Sequence, residues 1–316
     1  MATIPLASPA APARSLRASI AQHPLLAYFI IAFAPVWLAL LPFVLARNGL
    51  GLLPLTLPDV AFIVAFIGST LLGPTAGAFV VTAAAEGRPG VRRLLGRYVQ
   101  WRVGLRWYAI ALFGYIVLQL LGAVIWSGAA PALDLLARWP LIFTSYLPLV
   151  LAMVLFPALA EEPGWRGFAL PRLQARYGPL AGTLILGFLH GIWHLPVYML
   201  VSSPAAMGPF NVVAFISNTI AIVALTVVWT WVFNNAKGSI LMAILLHAAS
   251  NATGNFFGKA VPNLPPQHAL TTYIIYIAAA VLLVAATRGR LGYSEPAGSA
   301  PDVSYSSGQS AGASRQ

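Results

Sequence analysis

Long apolar segments recur along the chain, separated by short stretches of polar and basic residues. A helix of about 20 apolar residues is long enough to cross the roughly 30 Å hydrocarbon core of a bilayer. The fold class predicted from this pattern is all-α, a polytopic transmembrane helical bundle, since helices satisfy their own backbone groups in lipid. We expect eight spans, at residues 24–46, 58–84, 107–127, 140–160, 179–201, 211–233, 239–256 and 271–287. In the second span, Gly73-Pro74 should kink or interrupt the helix, because proline lacks a backbone donor.

Composition supports the same class. Hydrophobic residues make up 59% of the 316 residues, and the mean hydropathy is +0.81. A soluble protein of this composition would expose too much apolar surface to stay dispersed. The chain has no cysteine, which excludes disulfides, thiolate metal sites and cysteine nucleophiles.

The two ends of the chain differ in composition from its middle. Residues 1–22 are rich in Ala, Pro and Ser, and residues 291–316 are rich in Ser, Gly and Ala. Such segments cannot bury enough apolar surface to order themselves, so we predict a disordered tail at each end. Residues 23–290 are predicted to form one transmembrane bundle, with the motif-bearing core at residues 140–256.

Positive charge is unevenly distributed between the predicted loops. Of the 18 Lys and Arg residues, 15 fall on the side that carries both termini and only three on the other side. This bias predicts a multi-pass protein of the inner (plasma) membrane with both termini in the cytoplasm. Residues 88–106 are expected to form a basic amphipathic helix on that surface, with Trp101 and Trp107 at the headgroups. The net charge is +11, and we expect its basic residues to contact the lipid bilayer rather than a nucleic acid.

Charged residues are only 8% of the chain, so those within apolar segments need a reason. Glu161 and Glu162 end the fourth predicted span. Arg166 follows Glu162 by four residues, the favourable order for an ion pair on a helix. Glu161 points to a different face and is left free to act on water. The alternative is a solvated pair of acids at the membrane boundary.

Two histidines lie four residues apart in the fifth predicted span. His190 and His194 therefore share one helix face and can bind a metal together, or one can bind water while the other orients it. The residue after His190 is Gly191, so this is not a zinc-protease HExxH motif, and any general base must come from elsewhere. The alternative is a pair of histidines that hydrogen-bond to a neighbouring helix.

The seventh predicted span repeats this spacing with His247 and Asn251. An imidazole and a carboxamide on one face can donate hydrogen bonds to a developing oxyanion in a water-poor cavity. The alternative is a polar clamp between helices, packed by the small residues around it.

The ordered motifs Glu161-Glu162-x-x-x-Arg166, a second motif ending in His194, and His247-x-x-x-Asn251 resemble the CPBP family of intramembrane proteases. This family is also called the Abi or CAAX-protease family. The surrounding text, EEPGWRGFALPRLQ, GIWHLP and NNAKGSILMAILLHAASN, is similar to its bacterial branch. The family usually has Phe four residues before the second-motif histidine, a place taken here by His190. Either His190 is an extra polar wall residue, or it is the motif histidine and His194 its companion; the context Trp193-His194-Leu195-Pro196 favours His194.

The resemblance implies an intramembrane endopeptidase that cleaves a peptide bond near the cytoplasmic face. By position, Glu161 and His194 correspond to the water-activating pair, and His247 and Asn251 to the oxyanion-stabilising pair. Glu162 and Arg166 correspond to residues that hold the site together. The implied partner is a hydrophobic peptide or a membrane-anchored protein substrate; a prenylated CAAX protein is not expected in the bacterial branch.

The resemblance leaves a cofactor open. If a divalent metal such as zinc is bound, the ligands would be Glu161, His194 and His247. The metal would lower the pKa of its water to about 7, and Glu162 could become the base. Without a metal, Glu161 polarises the water directly.

Two other functions compete with proteolysis. One is a non-catalytic immunity or partner-binding protein that keeps the polar cluster as a scaffold. The other is a proton-coupled transporter that uses Glu161 and the histidines as a relay. The sequence shows no inverted repeat of the kind that transporters contain, and its motifs are intact, so the endopeptidase is favoured.

Overall fold

The computed structural model describes residues 15–200, 212–264 and 266–294. This part of the chain is helical, with short connections. Its helices are α1 Leu16–Gln22, α2 Pro24–Leu45, α3 Asp59–Gly96, α4 Leu105–Ser127, α5 Ala130–Ala137, α6 Ile142–Tyr177, α7 Pro179–Trp193, α8 Leu195–Tyr198, α9 Val212–Asn235, α10 Ile240–Ala260 and α11 His268–Ala286.

Seven of the described helices are long and apolar enough to cross a membrane, namely α2, α3, α4, α6, α9, α10 and α11. The predicted class, an all-α polytopic helical bundle, is confirmed. The fifth predicted span, at residues 179–201, is represented in the described residues by the shorter apolar helix α7. Helix α7 has 15 residues and ends at Trp193, because Pro196 follows within three residues and disfavours a continuous helix.

Helix α3 differs from its predicted extent. It is 38 residues long and ends at Gly96, and Gly73-Pro74 lies within a π-helical turn at Leu71–Thr75. Gly87 has non-helical torsions, with φ 65° and ψ −158°, so the helix is broken there.

The predicted interfacial helix at 88–106 is only partly present. The helix ends at Gly96, and α4 begins at Leu105. Trp101 lies exposed in the connection, as a headgroup contact requires, whereas Trp107 is buried against Trp231 with ring centroids 5.0 Å apart. The interfacial expectation for Trp107 is therefore wrong, because its ring packs inside the bundle.

The chain ends also differ from the predicted tails. Leu16–Gln22 is a helix capped by the Ser15 hydroxyl and packed against α3, so the expected disorder of 1–22 does not hold there. After α11, Leu291 is fully buried, and its carbonyl accepts a hydrogen bond of 3.0 Å from Asn234 Nδ2. Residues 1–14 and 295–316, on which the rest of both tail predictions falls, lie outside the described residues.

Helix α10 is the centre of the bundle. It packs against α4, α6 and α9, and about two-thirds of the residues in its apolar stretch are buried. The polar positions His247 and Thr253 are therefore enclosed by protein. This is where polar side chains in a membrane protein can find partners.

Two glycines set the distance between α7 and α9. A Cβ built on Gly187 would lie 2.9 Å from Val223 Cα, and one on Gly191 would lie 2.6 Å from Thr219 Cγ2. Their spacing of four is the small-residue pattern that lets membrane helices approach closely. His190, between them, is thereby held close to α9.

Helix α6 is irregular around the acidic pair. The helix is interrupted at Phe156, whose torsions are extended (φ −158°, ψ 132°), a π-helical turn occupies Pro163–Ala169, and Glu161 and Glu162 lie on the α-helical turn between them. Such turns are rare and are frequent at functional sites, because they redirect the side chains of a helix.

Candidate active site

Glu162 is the centre of a buried ionic cluster. Arg166 Nη1 donates to Glu162 Oε1 at 2.9 Å, the ion pair expected from their spacing, and both side chains are at most 1% exposed. His247 Nδ1 lies 2.8 Å from the same oxygen. Because a carboxylate only accepts, Nδ1 carries the proton and Nε2 of His247 is left for other partners.

Arg166 is fixed from two further sides. Its Nη2 lies 3.4 Å from Thr226 Oγ1 on α9, and its guanidinium lies over the Trp229 ring at 4.3 Å from the centroid. The planar guanidinium suits both contacts, since it can donate in its plane and stack across it. Glu162 and Arg166 thus connect α6 to α9 and α10.

Glu161 faces a different set of partners. Its Oε2 accepts from Trp165 Nε1 at 3.2 Å and lies 3.1 Å from His190 Nε2. The carboxylate is 2% exposed. The two adjacent glutamates therefore have separate partners on different faces of α6.

His194 ends α7 and is oriented by the backbone. Its Nδ1 lies 2.8 Å from the carbonyl of His190, which leaves Nε2 unprotonated and available. The neighbouring Trp193 anchors this turn to α2: its Nε1 donates to Ala32 at 2.9 Å, and its carbonyl accepts from Trp37 Nε1 at 3.2 Å.

A cavity of about 300 Å³ opens beside these clusters. The polar residues of its wall include Arg166, His190, His194, His247, Ser250 and Asn251. Helix α9 and the tyrosines of α11 form the opposite wall. Glu161 does not line the cavity. The imidazoles of His190 and His194 on α7 line it and connect it to the Glu161 carboxylate.

The structure thus brings all seven predicted site residues to one region. Sequence reasoning missed Trp165, which lies four residues after Glu161, the spacing that already identified Arg166. It also missed Thr226 and Trp229, for which an apolar helix gives no signal. Asn218 on α9 lines the cavity opposite Asn251 and was not predicted either.

The metal ligands predicted from the sequence are not the residues whose ligand atoms lie together in the structure. In the described part of the chain, the cluster whose ligand atoms lie within 4.8 Å of one another is Glu161, His190 and His194. His247 is outside this cluster; its Nδ1 lies against Glu162 Oε1.

The new cluster fits a resident zinc poorly. A histidine that ligates through Nε2 normally donates its Nδ1–H to an acceptor. No polar atom of the described residues is within hydrogen-bonding distance of His190 Nδ1, which is buried. Ligation by His190 would therefore leave a buried N–H unsatisfied, at a cost of about 1–3 kcal/mol.

Fold and site together define a class, a multi-pass helical membrane protein with a buried carboxylate–imidazole site beside an internal cavity. Residues 143–253, which contain all seven site residues, match the family described as Type II CAAX prenyl endopeptidase Rce1-like. A curated relative, CAAX prenyl protease 2 of Methanococcus maripaludis, is 30% identical over 110 residues. The aligned part is 34% of this chain and 40% of the relative's length. Both matches confirm, over this segment, the resemblance to the CPBP or CAAX-protease family.

Proposed function

We propose that the chain is an intramembrane endopeptidase of the CAAX-protease type. One observation carries the proposal: ligand atoms of Glu161 and His194 lie within 4.8 Å of each other, and His194 lines the cavity together with His247 and Asn251. His194 thus connects the water-activating pair to the space that the oxyanion-stabilising pair borders, as hydrolysis of a carbonyl group requires. The family match over residues 143–253 supports this assignment.

Water activation is assigned to Glu161 and His194. A water between them loses a proton to the Glu161 carboxylate, and its oxygen forms a bond to the carbonyl carbon of the scissile peptide. His194 Nε2 accepts the water's second hydrogen and orients its lone pair toward the substrate. The proton on Glu161 then passes to the leaving amine nitrogen as the C–N bond breaks.

Oxyanion stabilisation is assigned to His247 and Asn251. Because His247 Nδ1 donates to Glu162, only the doubly protonated imidazole can donate from Nε2 as well. The carboxylate of Glu162 stabilises that imidazolium, as in catalytic acid–histidine pairs. When His247 carries this charge, the formal charges of Glu161, Glu162, Arg166 and His247 sum to zero.

The substrate is proposed to be a hydrophobic peptide or a membrane-anchored protein. A peptide that enters from lipid brings apolar side chains, which match the apolar lining residues Val197, Ile222 and Leu225 of the cavity. We place the protein in the inner (plasma) membrane with both termini in the cytoplasm, on the positive-inside bias of its loops. Cysteine labelling of single-cysteine variants at the exposed Ser15 and Ser294 tests this orientation, because only a periplasmic thiol would react with an impermeant reagent in intact cells.

The test of the function is cleavage by protein purified in detergent. A peptide library is incubated with the wild type and with Glu161→Ala, His194→Ala and His247→Ala. Cleavage by the wild type and a loss in all three variants supports the proposal. The matched control is Glu86→Ala, which removes a partly exposed glutamate of α3 and should leave cleavage unchanged.

The alternative functions predict other results. A non-catalytic scaffold would give no cleavage of any peptide, and a transporter would move protons or solute in liposomes without cleavage. Cleavage that survives all three substitutions would overturn the assignment of the site.

A further inference from the structure

His190 has no part in the reaction proposed above, yet it is hydrogen-bonded to both Glu161 and His194, the water-activating pair. Its Nε2 lies 3.1 Å from Glu161 Oε2, and its carbonyl lies 2.8 Å from His194 Nδ1. We propose that His190 is a positioning residue that fixes the Glu161 carboxylate relative to His194. The inference rests on the proposed function and assigns a role within the same site.

The hydrogen bond has a defined direction. Nδ1 of His190 is buried and has no partner among the described residues, so a proton on it would be unsatisfied. The same proton on Nε2 is shared with Glu161, which can only accept while ionised. The neutral tautomer with Nε2–H is therefore favoured, and His190 donates to Glu161.

This bond acts on one oxygen of the carboxylate. Both hydrogen bonds to Glu161, from Trp165 and from His190, fall on Oε2. Within the described part of the chain, no hydrogen bond reaches Oε1. Two donors on Oε2 prevent rotation of the carboxylate and leave Oε1 to accept the water proton, a geometry that general-base catalysis requires.

The two donors are not equivalent. Trp165 is on the same helix as Glu161 and moves with it. His190 is on α7, the helix that also carries His194, so its bond ties α6 to α7 at the site. Loss of this bond should misalign the base and its partner imidazole, while the substrate cavity keeps its shape.

Packing around His190 permits a sharp substitution. Its ring lies 5.0 Å from the Trp165 ring and 6.3 Å from the Trp193 ring. A phenylalanine ring fits this aromatic surrounding but cannot donate. His190→Phe therefore separates the hydrogen bond from the packing.

The amides supply matched variants. The side-chain nitrogen of glutamine reaches the place of His Nε2, whereas that of asparagine reaches only the place of Nδ1. We expect His190→Gln to keep the bond to Glu161 and His190→Asn to lose it, although both add a carboxamide to the same position.

The experiment measures kcat and KM of purified wild type and the three variants on one cleaved peptide, with thermal unfolding to verify folding. We expect kcat to fall about 100-fold in His190→Phe and His190→Asn, near the lower limit for loss of a positioned base. KM should stay within about threefold, and His190→Gln should recover to within about tenfold of the wild type.

Two results overturn the inference without touching the proposed function. One is a His190→Phe protein that cleaves as fast as the wild type while Glu161→Gln is inactive. The other is a stoichiometric zinc, measured by mass spectrometry, that the wild type binds and both His190→Gln and His190→Phe lose, since His190 would then be a ligand. Absence of cleavage by the folded wild type overturns the proposed function and the inference together.

Discussion

Removal of the Glu162 charge should destabilise the fold strongly. Arg166 and Glu162 are 1% and 0% exposed and only 2.9 Å apart, so Glu162→Gln leaves a buried guanidinium without its counter-ion. Breaking such a pair by changing one partner costs about 3–5 kcal/mol. The hydrogen bond to His247 is weakened by the same change, so we expect the upper half of that range.

The assay is equilibrium unfolding in mixed detergent and SDS micelles, followed by tryptophan fluorescence. The matched control is Glu86→Gln, whose ion pairs with Arg93 and Arg172 are partly exposed, and we expect a loss below about 1 kcal/mol there. Addition of Arg166→Met to Glu162→Gln should recover most of the stability, because the orphaned charge is removed. A loss below 1 kcal/mol in Glu162→Gln, equal to that of the control, would refute the structural role of this pair.

Three further predictions concern the site and its supports. Asn251→Ala should lower kcat about 10²–10³-fold with little change in unfolding, as loss of one oxyanion donor does, and Asn251→Asp should not restore it; steady-state kinetics measures both. Gly191→Val should lower the unfolding temperature and the activity together, because its Cβ would lie 2.6 Å from Thr219 Cγ2. The control is Gly254→Val on α10, where an added Cβ meets no atom within 4 Å. Equal effects of the two substitutions would contradict the close packing of α7 against α9. A zinc chelator should leave cleavage unchanged, because the proposed reaction activates water with Glu161 and His194 and needs no metal; chelator inhibition that added zinc reverses would contradict that reaction.

The sequence predicted the class and the location of the chemistry, because both follow from local patterns. Apolar length alone identifies the spans, and a spacing of four places Glu162 with Arg166 and His247 with Asn251 on shared faces. Polar residues in so apolar a chain are also conspicuous. These signals need no knowledge of how the helices pack.

The sequence could not predict which imidazole meets which carboxylate. His190 and His194 share one face of α7, and only the packing of α7 against α6 brings Nε2 of the first to Glu161. The irregular turns of α6 contain Pro157 and Pro163, which indicate a disturbed helix but not the direction in which the two glutamates then point. The interior position of Trp107 likewise depends on contact with α9, since a tryptophan beside arginine is equally typical of a membrane interface.

The central claim is that the Glu161 carboxylate activates the water that cleaves the substrate. The most direct measurement compares kcat of the wild type and Glu161→Gln on one peptide, with both proteins shown to be folded by thermal unfolding. The amide keeps the size of the side chain and can still accept from Trp165 and His190, but it cannot take a proton from water. We predict that kcat falls by about 10³-fold or more with KM nearly unchanged. A folded Glu161→Gln protein that cleaves at the rate of the wild type would contradict the claim.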